Sequence, residues 1–403
     1  MNRNDSRSMR LAREVRDELT THILPFWTDE MQDQKYGGFY GRMDGNNMIH
    51  PLAPKGGILN ARILWTFSAA ARHLRQDMYM DMARRARDYI LTFFFDGTWG
   101  GTYWSVDHTG RPADTKKQIY SQAFFIYALS EYTMATDDAA CKGAAIRLFE
   151  LIERHSFDPV HHGYFEAFDR QWQPLEDMRL SEKDANEKKT MNTHLHILEA
   201  YTNLYRVWRD ELLAKKLRSL ILLFTEKIID PVSHHLNLFF DEQWNRKSRV
   251  ISFGHDIECS WLLAEAADTL GDRVLAGTVK QKCLKVAAAA VEGIGEDGGL
   301  MYEADPVAGH RDDDRHWWPQ AEAVVGFYHA YELTGDIRYL DIAENCFHYI
   351  RNSLIDPANG EWYWSIKADG TINRKDDKAG FWKCPYHNSR MCLEIMQRVK
   401  SLV

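Results

Sequence analysis

Three histidines, each followed by a carboxylate or guanidinium at helical spacing, are where this sequence could do chemistry. Asn192, His196 and Glu199 fall at i, i+4 and i+7, and His255 precedes Glu258 by three residues. His387, Arg390 and Glu394 form another stripe, and Trp318 with Glu322 a fourth. Residues at these spacings share one face of a helix, so each stripe presents its polar groups together. Histidine titrates near neutrality, so His255 and His387 can exchange the roles of base and acid. Proton removal from one face of a carbon and return to the other inverts it, and two histidines roughly across a cavity suit that. Arg62 adds a fixed cation and Tyr120 a phenol. A lining of His, Glu, Arg, Asn and Trp suits a neutral, hydroxyl-rich ligand, because indole faces stack on sugar C–H surfaces while the polar groups bond hydroxyls.

The stretch M-N-T-H-L-H (191–196) imitates a metal chelate. On a helix, residues two apart diverge, so His194 and His196 do not chelate together. No H-E-x-x-H, P-loop or G-x-S-x-G sequence occurs, and no D-x-D or E-x-x-D constellation offers a hard-metal cluster. G-I-G-E-D-G (293–298) has dinucleotide-loop spacing but follows an Ala-rich helical pattern rather than a strand. No metal and no cofactor is expected.

The elements that position these residues emerge from a repeat. Y-G-G-F-Y-G (36–41), W-G-G-T-Y-W-S (99–105), H-H-G-Y-F-E-A (161–167), H-H-L-N-L-F-F (234–240), D-G-G-L-M-Y-E (297–303) and N-G-E-W-Y-W-S (359–365) are variants of one segment. Their reference positions 38, 101, 163, 236, 299 and 361 are separated by 63, 62, 73, 63 and 62 residues. Each has strand-like alternation and several run into turns, which predicts short hairpins. Between hairpins there is room for two helices. The amphipathic set is Ser6–Trp27, Met78–Phe95, Asp138–Phe157, Asp210–Ile229, Arg273–Val291 and Ile337–Ile355. The second set, apolar nearly all round, is Gly57–Leu74, Gln118–Ala135, Asn192–Trp208, Phe253–Leu270, His316–Leu333 and Pro385–Val399. Helices hydrophobic on every side are buried. Six outer and six inner helices predict an all-α (α/α)6 barrel with short β-hairpins between helix pairs, closed as a single domain over residues 1–403.

The stripes then fall in the opening turns of the inner helices, with Tyr120 just before the second, so their polar groups converge on one end of the barrel. In that alignment His194 holds the slot of His255 and His387. Either the third helix slips in register by two, or His194 also lines the cavity. The 73-residue interval carries about ten extra residues, in the charged loop 174–190 before the third inner helix. Loops that outgrow their repeat tend to carry function.

The bulk numbers, 45 % hydrophobic and 27 % charged, have a globular balance. A net charge of −8 argues against nucleic acid or an anionic membrane as partner. The six cysteines are scattered and suggest no disulfide framework or zinc site. No apolar run reaches transmembrane length and no signal-peptide pattern opens the chain, so a cytoplasmic protein, monomer or weak homodimer, is expected.

Five segments carry a family resemblance: K-G-G-I-L-N-A-R-I-L-W-T-F, M-N-T-H-L-H-I-L-E-A-Y-T-N-L-Y-R-V-W, S-F-G-H-D-I-E, R-H-W-W-P-Q-A-E-A and F-W-K-C-P-Y-H-N-S-R. Over about residues 10–398 the chain resembles the N-acylglucosamine 2-epimerase superfamily, most closely its cellobiose 2-epimerase branch. The resemblance implies an (α/α)6 barrel and metal-independent epimerisation at C2 of the reducing-end glucose of β-1,4-linked disaccharides, through a cis-enediolate. By position it makes His255 and His387 the acid/base pair and gives His196 a part in ring opening. Arg62, Tyr120, Asn192, Glu258 and Trp318 would bind and polarise the reacting sugar, and Trp382 and Asp184 would contact the second one. Glu322 is expected among the sugar-binding residues from its stripe with Trp318. Cys384 departs from the pattern, where a small residue such as Gly is expected. The alternatives are a mannose 2-epimerase or mannose isomerase acting on monosaccharides, and, from another class, a glycoside hydrolase, which would need two flanking carboxylates, or a non-catalytic sugar-binding ring.

Overall fold

Why the ring closes follows from its turns. In the computed structural model, which describes residues 3–400, inner helices end in a left-handed residue at Arg75, Asp137, Gly271 and Gly335. Asp138, Asp272 and Asp336 directly follow three of these and, with Asp210 after the extended Trp208, cap the next outer helix by accepting hydrogen bonds from backbone N–H groups of its first turn. Such a cap is worth about 1 kcal/mol. Together these signals reverse the chain within two or three residues and set each helix pair antiparallel.

The helices in chain order are α1 (Arg3–Glu18), leading through a π turn into α2 (Leu24–Asp29), then α3 (Gly57–Leu74), α4 (Asp77–Phe93), α5 (Ile119–Thr136), α6 (Ala139–His155) and α7 (Met191–Val207). They continue with α8 (Glu211–Leu223), α9 (Phe253–Leu270), α10 (Arg273–Ala290), α11 (Trp317–Thr334), α12 (Ile337–Tyr349) and α13 (Tyr386–Lys400). Among the described residues α3, α5, α7, α9, α11 and α13 pack side by side in that order, and α13 returns to α3. The other helices pack outside them. This is the expected (α/α)6 barrel, with Gly57–Leu74 and Phe253–Leu270 placed as read from the sequence. Tyr120 lies inside α5 rather than before it. The expected single domain of 1–403 reaches beyond the described residues at both ends.

The expected hairpins form: Ser105–Val106 pairs with Pro112–Asp114 around D-H-T-G, and Glu303–Asp305 with His310–Asp312. Within the Gly-rich segments themselves the two legs meet in one bridge, such as Phe95 with Thr102 or Phe157 with Tyr164. The two-residue ladders instead join neighbouring repeats: Lys55–Gly56 pairs with Ser105–Val106, Lys117–Gln118 with Ala167–Phe168, and Lys189–Thr190 with Phe239–Phe240. Each strand leading into an inner helix is therefore stapled to the hairpin of the next repeat. The aspartate that opens a hairpin adds a second staple, with Asp33, Asp96, Asp158 and Asp356 holding buried Lys55, Lys117, Lys189 and Lys378 at 2.6–3.0 Å. The recurring glycine has a steric reason. At Gly101 and Gly163 φ is +71° and +80°, and a Cβ would come within 2.7 and 2.4 Å of the rings of Trp172 and Trp244. G-I-G-E-D-G is a hairpin turn, bridged from Ile294 to Leu300.

A third device answers the question raised by His194. Gln122, His194, Asp256 and Gln320 each stand fourth in their inner helix and accept the backbone N–H of Thr102, Tyr164, Leu236 and Leu300 at 2.7–2.9 Å. His194 does so through Nε2, while its Nδ1–H donates to the Thr190 carbonyl at 2.6 Å. Neither alternative for His194 holds. It is fully buried outside the cavity, and the alignment is displaced by one, so that His194 matches Asp256 and Thr193 matches His255. Burial, first of all, holds the His194 imidazole down at about 3, neutral. His194→Ala is expected to cost about 1–3 kcal/mol of stability, the usual penalty for an orphaned buried donor, with kcat unchanged. Urea unfolding alongside steady-state kinetics checks both; a kcat that falls with stability intact would return His194 to the site.

Candidate active site

One place on each inner helix organises the centre. Counting from the helix starts, Arg62, Phe124, His196, Glu258 and Glu322 are each sixth in α3, α5, α7, α9 and α11, and Arg390, fifth in α13, completes the tier. All six are buried, from 1 to 3 % exposed. Arg390 binds three carboxylates, one from each of three helices. It donates to Glu199 and to Glu258 (2.7 Å) and Glu322 (2.5 Å). Tyr386 adds its hydroxyl to Glu199. Glu258, Glu322 and His387 bring ligand atoms within 4.8 Å of one another, the sort of group that could hold a metal ion. The Arg390 guanidinium already lies against both of those carboxylates, where a cation would sit.

Above this tier opens a cavity of about 430 Å³. Arg62, Tyr120, Asp184, Asn192, His196, His255, Glu258, Trp318, Trp382 and His387 all line it. Glu322 does not, which corrects the expectation that it touches sugar. Its Oε1 takes the Nδ1–H of His387 at 2.7 Å as well as Arg390, and its Oε2 takes the indole N–H of Trp261 at 3.0 Å. It stands behind His387 as a carboxylate stands behind a catalytic imidazole. His196 has the same backing, Nδ1 on Glu199 at 2.9 Å. His255 has only the Ser252 hydroxyl, at 2.8 Å. In all three the outer nitrogen, Nε2, is left for the cavity. The two candidate bases share a neighbour: both rings pack on Trp318, with centroids 4.6 and 5.7 Å from it.

Electrostatics sets the protonation states. Burial is the main force on His387 and outweighs Glu322, holding the imidazole down at about 3. Burial, then the charges of His196 and His387, does the same for His255, also about 3. His196 is lowered by burial too. All three are free bases at neutral pH. Burial would raise Glu322, but Arg390 and His387 outweigh it and keep it ionised, at about 2. Glu258 goes the other way, pushed well up by burial and by the charge of Glu322. Within the tier Arg390 thus lies against three carboxyl groups, of which Glu199 and Glu322 are held low and Glu258 is pushed up.

Arg62 has no such partner. Its guanidinium donates to the Tyr120 hydroxyl (2.8 Å) and the Trp382 carbonyl (3.2 Å), approaches Cys384 Sγ at 3.9 Å, and lies 4.2 Å from the centroid of Phe124. Among the described residues no carboxylate pairs with it, and its Nε has no hydrogen-bond partner. The unusual Cys384 therefore touches the cationic end of the site.

The mouth of the cavity is built from the loop 174–190 and the hairpin aromatics. Leu180 to Asp184 come over it, where Asp184 accepts the N–H and hydroxyl of Ser181, both at 2.9 Å. Tyr302, stacked on His316 at 4.0 Å, and Trp364 form the facing wall and were missed from the sequence. Their signal was the repeat itself, since Tyr302 and Trp364 hold the aromatic slots of the fifth and sixth hairpin segments. Glu394, read into the His387 stripe, lies deeper and pairs with Arg398 at 3.3 Å. Outside the ring a groove of about 600 Å³ near Asp297 and Lys367 is lined by groups already paired, Arg311 with Asp313 and Arg315 with Asp297.

Residues 38–390 match the N-acylglucosamine 2-epimerase (GlcNAc 2-epimerase) family. A cellobiose 2-epimerase of Bacteroides fragilis is 55 % identical over 386 residues, spanning 96 % of this chain and 98 % of the relative. The solved structure of cellobiose 2-epimerase from Bacillus thermoamylovorans B4167 is 43 % identical with a TM-score of 0.93, covering 96 % of this chain and 99 % of that one. A D-mannose isomerase structure, 19 % identical over 96 and 97 % of the two chains with a TM-score of 0.84, shares the fold. No helix among the described residues is long and apolar enough to cross a membrane. With the barrel, its six-membered tier and near full-length similarity in agreement, this chain belongs to the N-acylglucosamine 2-epimerase family.

Proposed function

We propose that the protein is a carbohydrate 2-epimerase, acting at C2 of the reducing-end hexose of β-1,4-linked disaccharides such as cellobiose and interconverting glucose and mannose units. The observation that carries the chemistry is a buried guanidinium without a carboxylate, Arg62, sharing a cavity with a neutral imidazole that has a carboxylate behind it, His387. One is suited to receive a developing oxyanion and the other to take a proton. The names of the full-length relatives support the substrate class.

The reaction opens with the bound ring. His196, a free base oriented by Glu199, takes the O1 hydroxyl proton while the carboxyl of Glu258, whose affinity for a proton burial raises, supplies one to O5. His387 Nε2 then removes the C2 proton. The C–H electron pair becomes the C1=C2 bond, and the carbonyl pair moves onto O1, where Arg62 and the Tyr120 hydroxyl hold it. The imidazolium formed is stabilised by Glu322. The His387 imidazolium exchanges its proton with solvent and returns one to C2, after rotation about C2–C3 has presented the opposite face to it. His255 and Trp318 hold the hexose, and Asn192 bonds its hydroxyls. Asp184 and Trp382, with the loop 174–190, take the second sugar, which favours a disaccharide over a lone hexose. A hydrolase reading is weaker, because Glu322 is sealed behind His387 and cannot flank a glycosidic bond.

Incubation with cellobiose, glucose and mannose in D2O, followed by NMR, tests this. Deuterium at C2 of a mannose-terminated disaccharide is expected. Turnover of mannose alone would move the assignment to monosaccharides, and protium retained at C2 after many turnovers would overturn the enediolate.

A further inference from the structure

The two arginines of the central tier have the same burial and opposite electrostatic circumstances. Arg390 is surrounded by three carboxylates from three helices. Arg62, 3 % exposed, has only neutral neighbours: a phenol, a carbonyl, a thiol and the face of Phe124. Its Nε is unpaired, and the side chain lines the cavity. Burying a cation this way is costly unless a ligand completes it. A neutral sugar does not. The carboxyl groups lining the cavity do not either: Glu258 is bonded to Arg390, Asp184 is turned onto Ser181 at the mouth and Asp376 takes Asn373, and neither these nor Glu182 pairs with Arg62.

Resting on the reading above, we propose that this cavity is also an anion site selective for aldonic acids, open-chain sugar acids with a carboxylate at C1. The carboxylate sets a full negative charge and planar, hydrogen-bond-accepting oxygens where the enediolate oxygen would form. A guanidinium is matched to such a planar anion. The neutral polyol of the same chain length lacks that charge. The C1-oxidised form of the disaccharide would therefore act as a competitive inhibitor, bound more tightly than the disaccharide itself.

Isothermal titration of the wild-type protein with cellobionate and with cellobiitol isolates the charge, because the two differ only at C1. The acid is expected to bind at least tenfold more tightly, with an advantage that shrinks as salt is raised. Gluconate and glucitol form a second pair. If only this pair shows binding and the acid is preferred, the anion site stands and the disaccharide reading falls. Equal or weaker binding of both acids overturns the anion site. In Arg62→Met the preference is expected to disappear while cellobiitol still binds; a preference that survives also overturns it. Arg62→Lys, which keeps the charge without the planar fork, is expected to retain part of the preference and serves if the methionine variant does not fold.

Discussion

His387→Ala is expected to lower kcat by about 10²–10⁴, the usual contribution of a positioned general base, with the fold retained. The side chain reaches the cavity through Nε2 and is fixed behind by Glu322, which in turn is held by Arg390 and Trp261. His255→Ala is expected to lose less, because His255 rests on a serine hydroxyl and has no carboxylate to stabilise an imidazolium. Initial rates of C2 epimerisation, with circular dichroism as the folding control, check both, and near-wild-type turnover in His387→Ala would sink the assignment. The pH profile adds a sign. His387 is faced by Glu322, Glu258, Arg390, Arg62 and His255, and burial outweighs the carboxylates, leaving the base free above about 3. kcat/KM is therefore expected to stay flat from pH 8 to pH 5, without the inflexion near ~6.5 of an ordinary histidine. Stability behaves differently. Between about 3 and ~6.5 the unfolded chain binds more protons at His194 and His387 than the folded one, so stability falls as pH drops through that window. Acid inactivation should accordingly follow unfolding rather than titration of the folded base.

Arg390→Met is the substitution expected to do most damage to the fold. It removes the cation from Glu199, Glu258 and Glu322 while leaving the carboxylates buried. Breaking a buried pair from one side costs about 3–5 kcal/mol, and denaturant unfolding should show a loss of at least that size. Function should shift as well, since Arg390 also lowers the basicity of His387 and His196. Without it both become easier to protonate, and the acid limb of kcat/KM moves up towards neutrality. Arg390→Lys restores one charge but not a fork able to reach three acceptors, so an intermediate outcome is expected on both counts. A methionine variant as stable as wild type, with an unmoved acid limb, would remove Arg390 from the centre of the site.

Much of this was legible in the residue order because the fold is periodic. Hairpin spacing and the apolar inner helices imply the ring, and the excess at 174–190 points to the segment that comes over the cavity. Stripe arithmetic correctly put Asn192, His196 and Glu199 on one face. It says nothing about depth, so Glu322 and Trp318, four residues apart on α11, read alike although one lies behind a histidine and the other lines the cavity. Arg390 could be placed on the His387 stripe, but its three partners lie 68 to 191 residues away in sequence, and nothing local announces them. The displaced alignment of His255 with His194 has a similar cause. Letter identity favoured histidine with histidine, whereas the backbone N–H that His194 accepts is taken in α9 by Asp256 and in α11 by Gln320.

The position of Arg390 on the last helix has a consequence for how the molecule is made. Synthesis runs from the N-terminus, so Glu199, Glu258 and Glu322 all leave the ribosome before the arginine that neutralises them. Helices α3 to α11 could begin to assemble during translation, yet their three acidic side chains would converge on an empty stave. α13 supplies the missing stave, the cation and His387 together, and it packs against both α1 and α3. Ring closure, charge balance and the arrival of the proposed base are thus one event, and the nascent chain has no partly built form that could already work on sugar.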